Sequence, residues 1–357
     1  MSGADNKRFL IMSIRVFDFF SGCGGTSCGF ERAGMEIVLG IDNDQDAAKT
    51  FQLNFPHSKF ICDDIRKLPT TALKPFITRR LGKTLFCGCA PCQPFSNQNN
   101  NKKKSDERIN LLNEFGRFVA FYKPDFVFIE NVPGMQSIKH RRGPFKVFTA
   151  LLDSLSYSYE YKVVAASNYG VPQKRERLVL LASKHFQVTL PAPTHGIGTD
   201  NPLYTNVKDW IDGLPVLQAG QSDPSDPDHR ASVLSEINLA RIKATPEGGG
   251  RESWPKNLWL ECHKKYDGHT DVYGRLSWNK PASGLTTKCI SYSNGRFGHP
   301  EQDRALSVRE AACLQTFPRQ YKFVGDLKSK ARQIGNAVPP LFAQVFGEAL
   351  LRQLENT

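Results

Sequence analysis

The first half of the chain alternates short apolar runs with amphipathic stretches, and this pattern limits the possible fold more than any other feature. It extends from residue 14 to about residue 183. Short apolar runs are typical of strands buried on both faces, and the stretches between them have helical spacing. The sequence therefore predicts an α/β fold with a doubly wound, mostly parallel sheet. The predicted strands are 15–19, 37–41, 60–62, 84–86, 126–129, 162–165 and 178–181, and the predicted helices between them are 26–33, 44–54, 109–122 and 145–155.

The pattern changes after residue 185, where Pro, Gly, Asp and Ser become frequent and strand signals are short. Helical periodicity returns at 307–315 and at 341–354. We therefore expect a large domain over residues 1–184, a smaller loop-rich domain over 185–326, and a C-terminal segment, 327–357, that returns to the large domain.

Composition narrows the class of protein. The 357 residues carry a formal net charge of +12, which favours a polyanionic partner. No apolar run approaches the roughly 20 residues that a membrane helix needs, so we expect no membrane association. Nine cysteines in a chain of this length are not a disulfide framework and indicate a reducing, cytoplasmic location.

A glycine loop and two acidic residues predict a cradle for a nucleoside cofactor. Gly22, Gly24 and Gly25 follow the first strand and open a helix, where backbone can approach a ligand closely. Asp42 ends the second strand, where an acid can bind ribose hydroxyls, and Asp64 follows the third. The cofactor could be a dinucleotide or S-adenosylmethionine, and an oxidoreductase stays open at this point. The alternative is that both acids cap the helices that follow them.

A thiol and a carboxylate follow two other predicted strands. Cys92 lies beyond strand 84–86, and Glu130 directly follows strand 126–129. Because parallel strands end at one edge of the sheet, this arrangement indicates a nucleophile with an acid partner. The alternatives are a buried structural cysteine and a helix-capping acid. A metal site at Cys87, Cys89 and Cys92 would need a fourth ligand that the vicinity does not offer, so no metal is predicted.

Six ordered motifs resemble those of the DNA (cytosine-5) methyltransferase family. The resemblance extends over about residues 14 to 350 and implies a Rossmann-like, S-adenosylmethionine-dependent methyltransferase fold with a target-recognition domain at 185–326. Two small residues, Ser21 and Cys23, depart from what relatives often carry in the glycine loop, without obstructing it. The motifs are 20–25, 91–93, 130–132, 173–177, 304–318 and 335–340.

The resemblance implies a covalent mechanism. Carbon 5 of cytosine is a poor nucleophile, and addition of the Cys92 thiolate at carbon 6 makes it electron-rich. Glu130 would hydrogen-bond or protonate ring nitrogen 3. Arg175 and Arg177 lie at alternate positions, so both are expected on one face, where they bind the ring oxygen and nearby phosphates.

The resemblance also implies binding residues for both ligands. The target cytosine must leave the duplex to be reached, and the loop after Cys92 would close over the DNA. A turn at Gly335 and Asn336 is expected to bring the last helix beside the first. The implied DNA-binding residues are Gln93, Ser96, Gln173 and Arg175. The implied cofactor-binding residues are Asp18, Phe20, Gly22, Gly24, Gly25, Asp42, Asn43, Asp64, Ile65, Pro91, Asn336 and Val338.

These features predict a DNA cytosine-5 methyltransferase of the bacterial modification type that makes 5-methylcytosine in double-stranded DNA. We expect a monomer, cytoplasmic and nucleoid-associated if bacterial, with any cognate restriction endonuclease acting separately. The alternatives are the tRNA-methylating branch of the family and, less favoured, a nicotinamide-dependent oxidoreductase. A non-catalytic DNA-binding relative would be expected to lack Cys92 or Glu130. Residues 196–274 share no pattern with relatives, so the sequence does not identify the target bases.

Overall fold

The computed structural model of the chain describes residues 14–77, 82–90, 111–135, 143–264 and 270–357. These residues divide into two compact units. The first unit comprises the described residues up to Val164, then Glu176–Ala192 and Phe342–Thr357. The second comprises Ala165–Arg175 and Pro193–Leu341. Residues 327–341, which the sequence assigned to the returning segment, thus lie with the second unit.

Nine strands and ten α-helices occur in the described ranges. The strands are β1 Ile14–Phe19, β2 Glu36–Asp42, β3 Lys59–Cys62, β4 Lys83–Gly88, β5 Phe126–Asn131, β6 Ser158–Ala165, β7 Gln173–Lys174, β8 Glu176–Ser183 and β9 Ala282–Ser283. The helices are α1 Gly25–Arg32, α2 Gln45–Asn54, α3 Leu111–Tyr122, α4 Pro144–Ser154, α5 Val207–Ile211, α6 Glu236–Lys243, α7 Glu261–Lys264, α8 Val308–Leu314, α9 Leu327–Asn336 and α10 Pro340–Glu355.

The first unit contains a seven-stranded sheet in the order β3-β2-β1-β4-β5-β8-β6. Strands β3, β2, β1, β4 and β5 pair in parallel, and β8 pairs antiparallel with β5. All seven strands were predicted, and the mostly parallel α/β class is confirmed. From β1 near the middle of the sheet, the chain adds β2 and β3 on one side and then β4 and β5 on the other. This is the doubly wound arrangement.

An aromatic cluster packs the helices onto this sheet. The ring of Phe19 on β1 lies 5.2 Å from Phe86 on β4 and 5.1 Å from Phe115 on α3, measured between centroids. Gly88 at the end of β4 makes room, since a Cβ there would lie 2.7 Å from the Phe115 ring. Buried rings contribute about 0.5–1.5 kcal/mol per pair beyond their area, so this contact fixes the carboxyl end of β4.

The last helix packs beside the first, as the sequence predicted. A Cβ at Gly347 on α10 would lie 2.8 Å from the Phe30 ring and 3.0 Å from the Ala33 Cβ at the end of α1. The expected turn at Gly335 and Asn336 is wrong, however, because both residues belong to the last turn of α9. The Gly335 Cα instead lies against backbone, where a Cβ would be 2.1 Å from the Thr286 carbonyl oxygen.

A buried ion pair organises the second unit. Arg304 and Glu310 are almost completely buried, and the guanidinium donates to both carboxylate oxygens at 2.7 Å. Burial alone would raise the pKa of Glu310, but the hydrogen bonds and charge of Arg304 hold it at about 2. Glu310 also closes a capping box with Ser307 at the start of α8. The motif at 304–318 therefore builds the frame of this unit. Across the described ranges, none of the helices has the length and apolar character needed to span a bilayer.

Candidate active site

The loop after β1 adopts the conformation that a ligand cradle requires. Phe20, Gly22 and Gly24 all have positive φ, of 58°, 52° and 92°. The Gly24 carbonyl accepts from the Cys28 N–H, which starts α1. A Cβ at Gly22 would meet none of the described residues within 4 Å. The loop therefore presents backbone to open space beside the N-terminus of a helix.

Asp42 supports this loop and keeps capacity for a ligand. Its Oδ2 accepts from the Gly22 N–H at 2.9 Å, and its Oδ1 accepts from the Asp44 N–H at 2.9 Å. Asp44, not Asp42, caps α2, so the capping alternative is wrong for Asp42. Burial raises the pKa of Asp42 above its usual value. The Asn43 backbone also donates to this carboxylate. A carboxylate has about four lone-pair sites, so about one remains for a hydroxyl donor. Asn43 beside it is exposed.

Asp64 is already paired. The Arg66 side chain donates to Asp64 through Nε at 3.0 Å and through Nη2 at 2.6 Å. Hydrogen bonds from Arg66 hold the pKa of this carboxyl below its usual range. An amine on a ligand would therefore share Asp64 with Arg66. Ile65 is buried, and its carbonyl accepts from Arg117 at 3.0 Å.

Asp18 lies beneath the loop rather than on its surface. The residue is completely buried, and its Oδ2 accepts from the Ser27 hydroxyl at 2.7 Å. Its Oδ1 has no hydrogen-bond partner among the described residues. Burial raises the pKa of Asp18 to about 7. The side chain thus supports the first turn of α1, and its expected contact with a cofactor stays a prediction.

Glu130 and Arg177 form an ion pair at the end of the sheet. Arg177 Nε lies 2.8 Å from Glu130 Oε1, and both side chains are largely buried. The pair follows from the antiparallel register of β5 and β8, in which Glu130 lies opposite Val179, two residues from Arg177. An acid and a cation are thereby held together near the end of β4, the strand that leads to Cys92.

Asn131, which the sequence analysis did not single out, ties two of these strands together. Its Nδ2 donates to the Ala90 carbonyl at 3.0 Å, and its Oδ1 accepts from the Val132 N–H at 2.9 Å. Ala90 is the last described residue before the segment that contains Cys92. The signal that could have found Asn131 is its place directly after Glu130. The predicted residues Pro91, Cys92, Gln93 and Ser96 lie outside the described residues.

The other thiols at this edge are poor nucleophiles. Burial raises the pKa values of Cys23, Cys28, Cys87 and Cys89. Because the thiolate is the reactive form, these four remain protonated near neutral pH. Within the described ranges, no group of three or more His, Cys, Asp or Glu side chains is arranged to hold a metal ion.

Gln173 and Arg175 have structural partners in the second unit. Gln173 is completely buried, and its amide nitrogen donates to Leu314 O and to Gln315 Oε1 at 2.7 and 2.6 Å. Its Oε1 accepts from the Leu285 N–H at 3.1 Å. Both amide protons are used within the second unit, and the expected contact of Gln173 with DNA stays a prediction.

Arg175 donates to Leu285 O at 3.1 Å and to Ala337 O at 3.4 Å, while Arg177 reaches Glu130 in the first unit. The two arginines therefore have different partners, and the expectation that both bind the base and nearby phosphates stays a prediction. Of the residues expected at the cofactor in the second unit, Asn336 is exposed and Val338 is buried.

The sequence profile of the C-5 cytosine-specific DNA methylases matches residues 14–352. The chain belongs to this family. The predicted enzyme class, a DNA (cytosine-5-)-methyltransferase, is thereby confirmed. It is 41% identical over 346 residues to the type II methylase M.HgiDII of Herpetosiphon aurantiacus, covering 95% of this chain and 96% of that protein. It is 33% identical to the type II methyltransferase M1.HphI of Haemophilus parahaemolyticus, covering 98% and 90%.

Solved structures agree on the fold. A crystal structure of a candidate DNA modification methyltransferase encoded in an Escherichia coli prophage superposes with a TM-score of 0.75 at 26% identity, covering 96% of this chain and 100% of that one. A variant of DNMT2 from Spodoptera frugiperda superposes with a TM-score of 0.61 at 18% identity, covering 95% and 98%. The second likeness shows the fold alone.

Proposed function

We propose that this methyltransferase transfers a methyl group from S-adenosylmethionine to carbon 5 of a cytosine in duplex DNA, through a covalent adduct of Cys92 at carbon 6. The observation that carries the proposal is the Glu130–Arg177 ion pair, 2.8 Å between Nε and Oε1. It supplies a buried acid and a cation at the end of the sheet where a pyrimidine ring would be polarised for thiol attack.

The residues around the glycine loop fit S-adenosylmethionine. Gly22 faces open space, and Asp42 has a lone pair left for a ribose hydroxyl. Phe20 and Gly24 shape the loop, Gly25 begins α1, and Asn43 follows Asp42. We propose that Asp64, Ile65, Pro91, Asn336 and Val338 complete the binding residues. The bound cofactor supplies an electrophilic methyl group.

Residues of the chain perform the remaining steps on the base. The Cys92 thiolate forms a bond to carbon 6, and the electron pair of the carbon 5–carbon 6 double bond becomes available at carbon 5. Glu130 hydrogen-bonds ring nitrogen 3, where negative charge develops, and Arg177 holds Glu130 in place and binds the ring oxygen. After carbon 5 is methylated, a base removes the carbon 5 proton, the carbon 5–carbon 6 double bond re-forms, and the bond from carbon 6 to sulfur breaks to release the Cys92 thiolate.

Access to carbon 6 requires that the cytosine leave the base stack. We propose that the segment after Cys92, with Gln93 and Ser96, contacts the extruded nucleotide, and that residues of the second unit read the neighbouring bases. The type II names of the relatives support a role in a restriction-modification system. We propose that the protein acts as a cytoplasmic, nucleoid-associated monomer, with a restriction endonuclease acting separately.

Methyl transfer from labelled S-adenosylmethionine to mixed-sequence duplex DNA tests this function. We expect label in duplex DNA, none in tRNA, and none in either with Cys92→Ser. Label in tRNA alone would assign the chain to RNA, and activity of Cys92→Ser equal to wild type would refute the covalent route.

A further inference from the structure

The C-terminal end of helix α8 holds the segment that follows α9 at two points. The Gln315 amide nitrogen donates to the Ala337 carbonyl, and the Thr316 hydroxyl accepts from the Leu341 N–H at 3.0 Å. Gln315 and Thr316 are completely buried. Side-chain hydrogen bonds to the backbone at both ends restrict the conformations open to the intervening residues, Val338 to Pro340.

Thr316 adopts a conformation that its side chain does not favour. Its φ is 69°, in the left-handed region that β-branched residues rarely adopt. Strain of this kind persists where the surrounding structure requires it. Here it accompanies the hydrogen bond between the Thr316 hydroxyl and Leu341.

Further hydrogen bonds fix the side chain of Gln315 and the Ala337 carbonyl. Gln315 Oε1 accepts from the buried amide of Gln173, and Arg175 Nη2 also donates to Ala337 O. Gln173 and Arg175 in turn hold both backbone groups of Leu285. The Ala337 carbonyl thus receives two side-chain donors that are themselves fixed.

Ala337 lies between Asn336 and Val338, the two residues of the second unit that the proposed function assigns to S-adenosylmethionine. We infer that Gln315 and Thr316 are positioning residues for the cofactor, which act by holding the Asn336–Val338 segment in its binding conformation. This inference rests on the proposed function. A segment that is less often in its binding conformation lowers apparent affinity by the same fraction.

Calorimetric titration of the full-length protein with S-adenosylmethionine tests the inference without DNA or turnover. Thr316→Val keeps the branched shape and removes the hydroxyl, whereas Thr316→Ser keeps the hydroxyl and is the matched control. Gln315→Glu keeps the acceptor for Gln173 and removes the donor to Ala337. We expect Thr316→Val and Gln315→Glu to raise the Kd about tenfold, and Thr316→Ser to change it less than twofold.

Duplex DNA affinity and the unfolding midpoint are measured on the same variants to separate positioning from general damage. The inference predicts DNA affinity within twofold of wild type for all three. An unchanged Kd for S-adenosylmethionine in both Thr316→Val and Gln315→Glu would overturn it, as would an equal loss of cofactor and DNA affinity. If the wild type itself does not bind S-adenosylmethionine, the proposed function is wrong, and the inference that rests on it is wrong as well.

Discussion

Two carboxylates of the first unit show how surroundings decide what the same chemical group does. Glu130 lies beside the Arg177 guanidinium, whose positive charge balances the negative charge of the carboxylate. Asp18 has only the Ser27 hydroxyl as a hydrogen-bonding side chain, and burial raises its pKa to about 7. The first arrangement suits chemistry on a bound base, and the second supports the loop above it.

Replacing the acid tests the role of Glu130. Glu130→Gln keeps the shape but removes the carboxylate, so we expect kcat to fall at least about 100-fold while the Kd for duplex DNA changes less than about threefold. Single-turnover methyl transfer and equilibrium binding measure the two. Glu114→Gln is the control, because Glu114 forms an exposed ion pair with Arg117 on α3. A larger loss in binding than in kcat would move Glu130 from chemistry to recognition.

The pKa of Asp18 predicts a stability that falls as pH rises. Folded Asp18 titrates at about 7 and the unfolded carboxyl near 3.8, so between these values the folded state holds the extra proton. Folding is therefore disfavoured by up to about 1.4 kcal/mol for each pH unit crossed within this window, and the effect levels off above it. Denaturant unfolding of wild type and Asp18→Asn at pH 5 and pH 8 measures it. We expect Asp18→Asn to gain relative stability at pH 8, and no gain would contradict the argument.

The position of helix α9 depends on a glycine at its C-terminal end. Gly335 lies in its last turn, directly against the Thr286 backbone. The element therefore docks through close backbone contact at Gly335, in addition to its buried side chains Ala331 and Ile334. Any side chain at this position would separate α9 from the 285–287 segment.

We expect Gly335→Ala to lower the free energy of unfolding by about 3 kcal/mol or more, because its Cβ would lie 2.1 Å from the Thr286 carbonyl oxygen. Gly213→Ala, in the same unit, is the matched control. Gly213 has φ 77°, and a Cβ there meets none of the described residues within 4 Å, so only backbone strain of about 1 kcal/mol remains. Thermal unfolding midpoints of both variants provide the comparison, and equal shifts would refute the steric explanation.

The sheet could be predicted from the sequence because its signals are local. Strands β1 and β5 are buried at every residue, so each appears as an apolar run of its own. Helix α9 was missed because its sequence, residues 327–336, has few apolar residues, although Asp326 caps it and carried a recognisable start signal.

Site residues that lie within a local sequence motif were predicted, and those whose role depends on contacts distant in sequence were not. Glu130 lies where the motif places it, at the end of a strand. The role of Gln173 depends on Gln315, which is 142 residues away along the chain, and no local pattern encodes that contact. Asn131 and Ala90 are likewise joined only after β4 and β5 pair.

At the scale of the whole molecule, charge and architecture agree with a DNA-modifying enzyme. The formal net charge is +12, while the buried ion pair of Arg304 and Glu310 is internally neutral. The excess cations are therefore available for a polyanion. The two units supply different parts: the first holds Asp42, Glu130 and Arg177, and the second holds the network around Gln315.

This charge predicts strongly salt-dependent DNA binding. Each phosphate contact should contribute a slope of about −0.9 to the plot of log K against log salt concentration. We expect a total slope steeper than about −4 for a mixed-sequence duplex, measured by fluorescence anisotropy between 50 and 200 mM salt. A slope near zero would remove the electrostatic part of the account.

The proposed mechanism requires that a thiol of this chain bond to the target pyrimidine. A duplex whose cytosines carry fluorine at carbon 5 cannot lose a proton there, so the adduct should persist after methyl transfer. With S-adenosylmethionine and this duplex, we predict a denaturant-stable protein–DNA complex for the wild type and none for Cys92→Ser. The account is contradicted if the wild type forms no such complex while Cys92→Ser still methylates ordinary DNA at the wild-type rate.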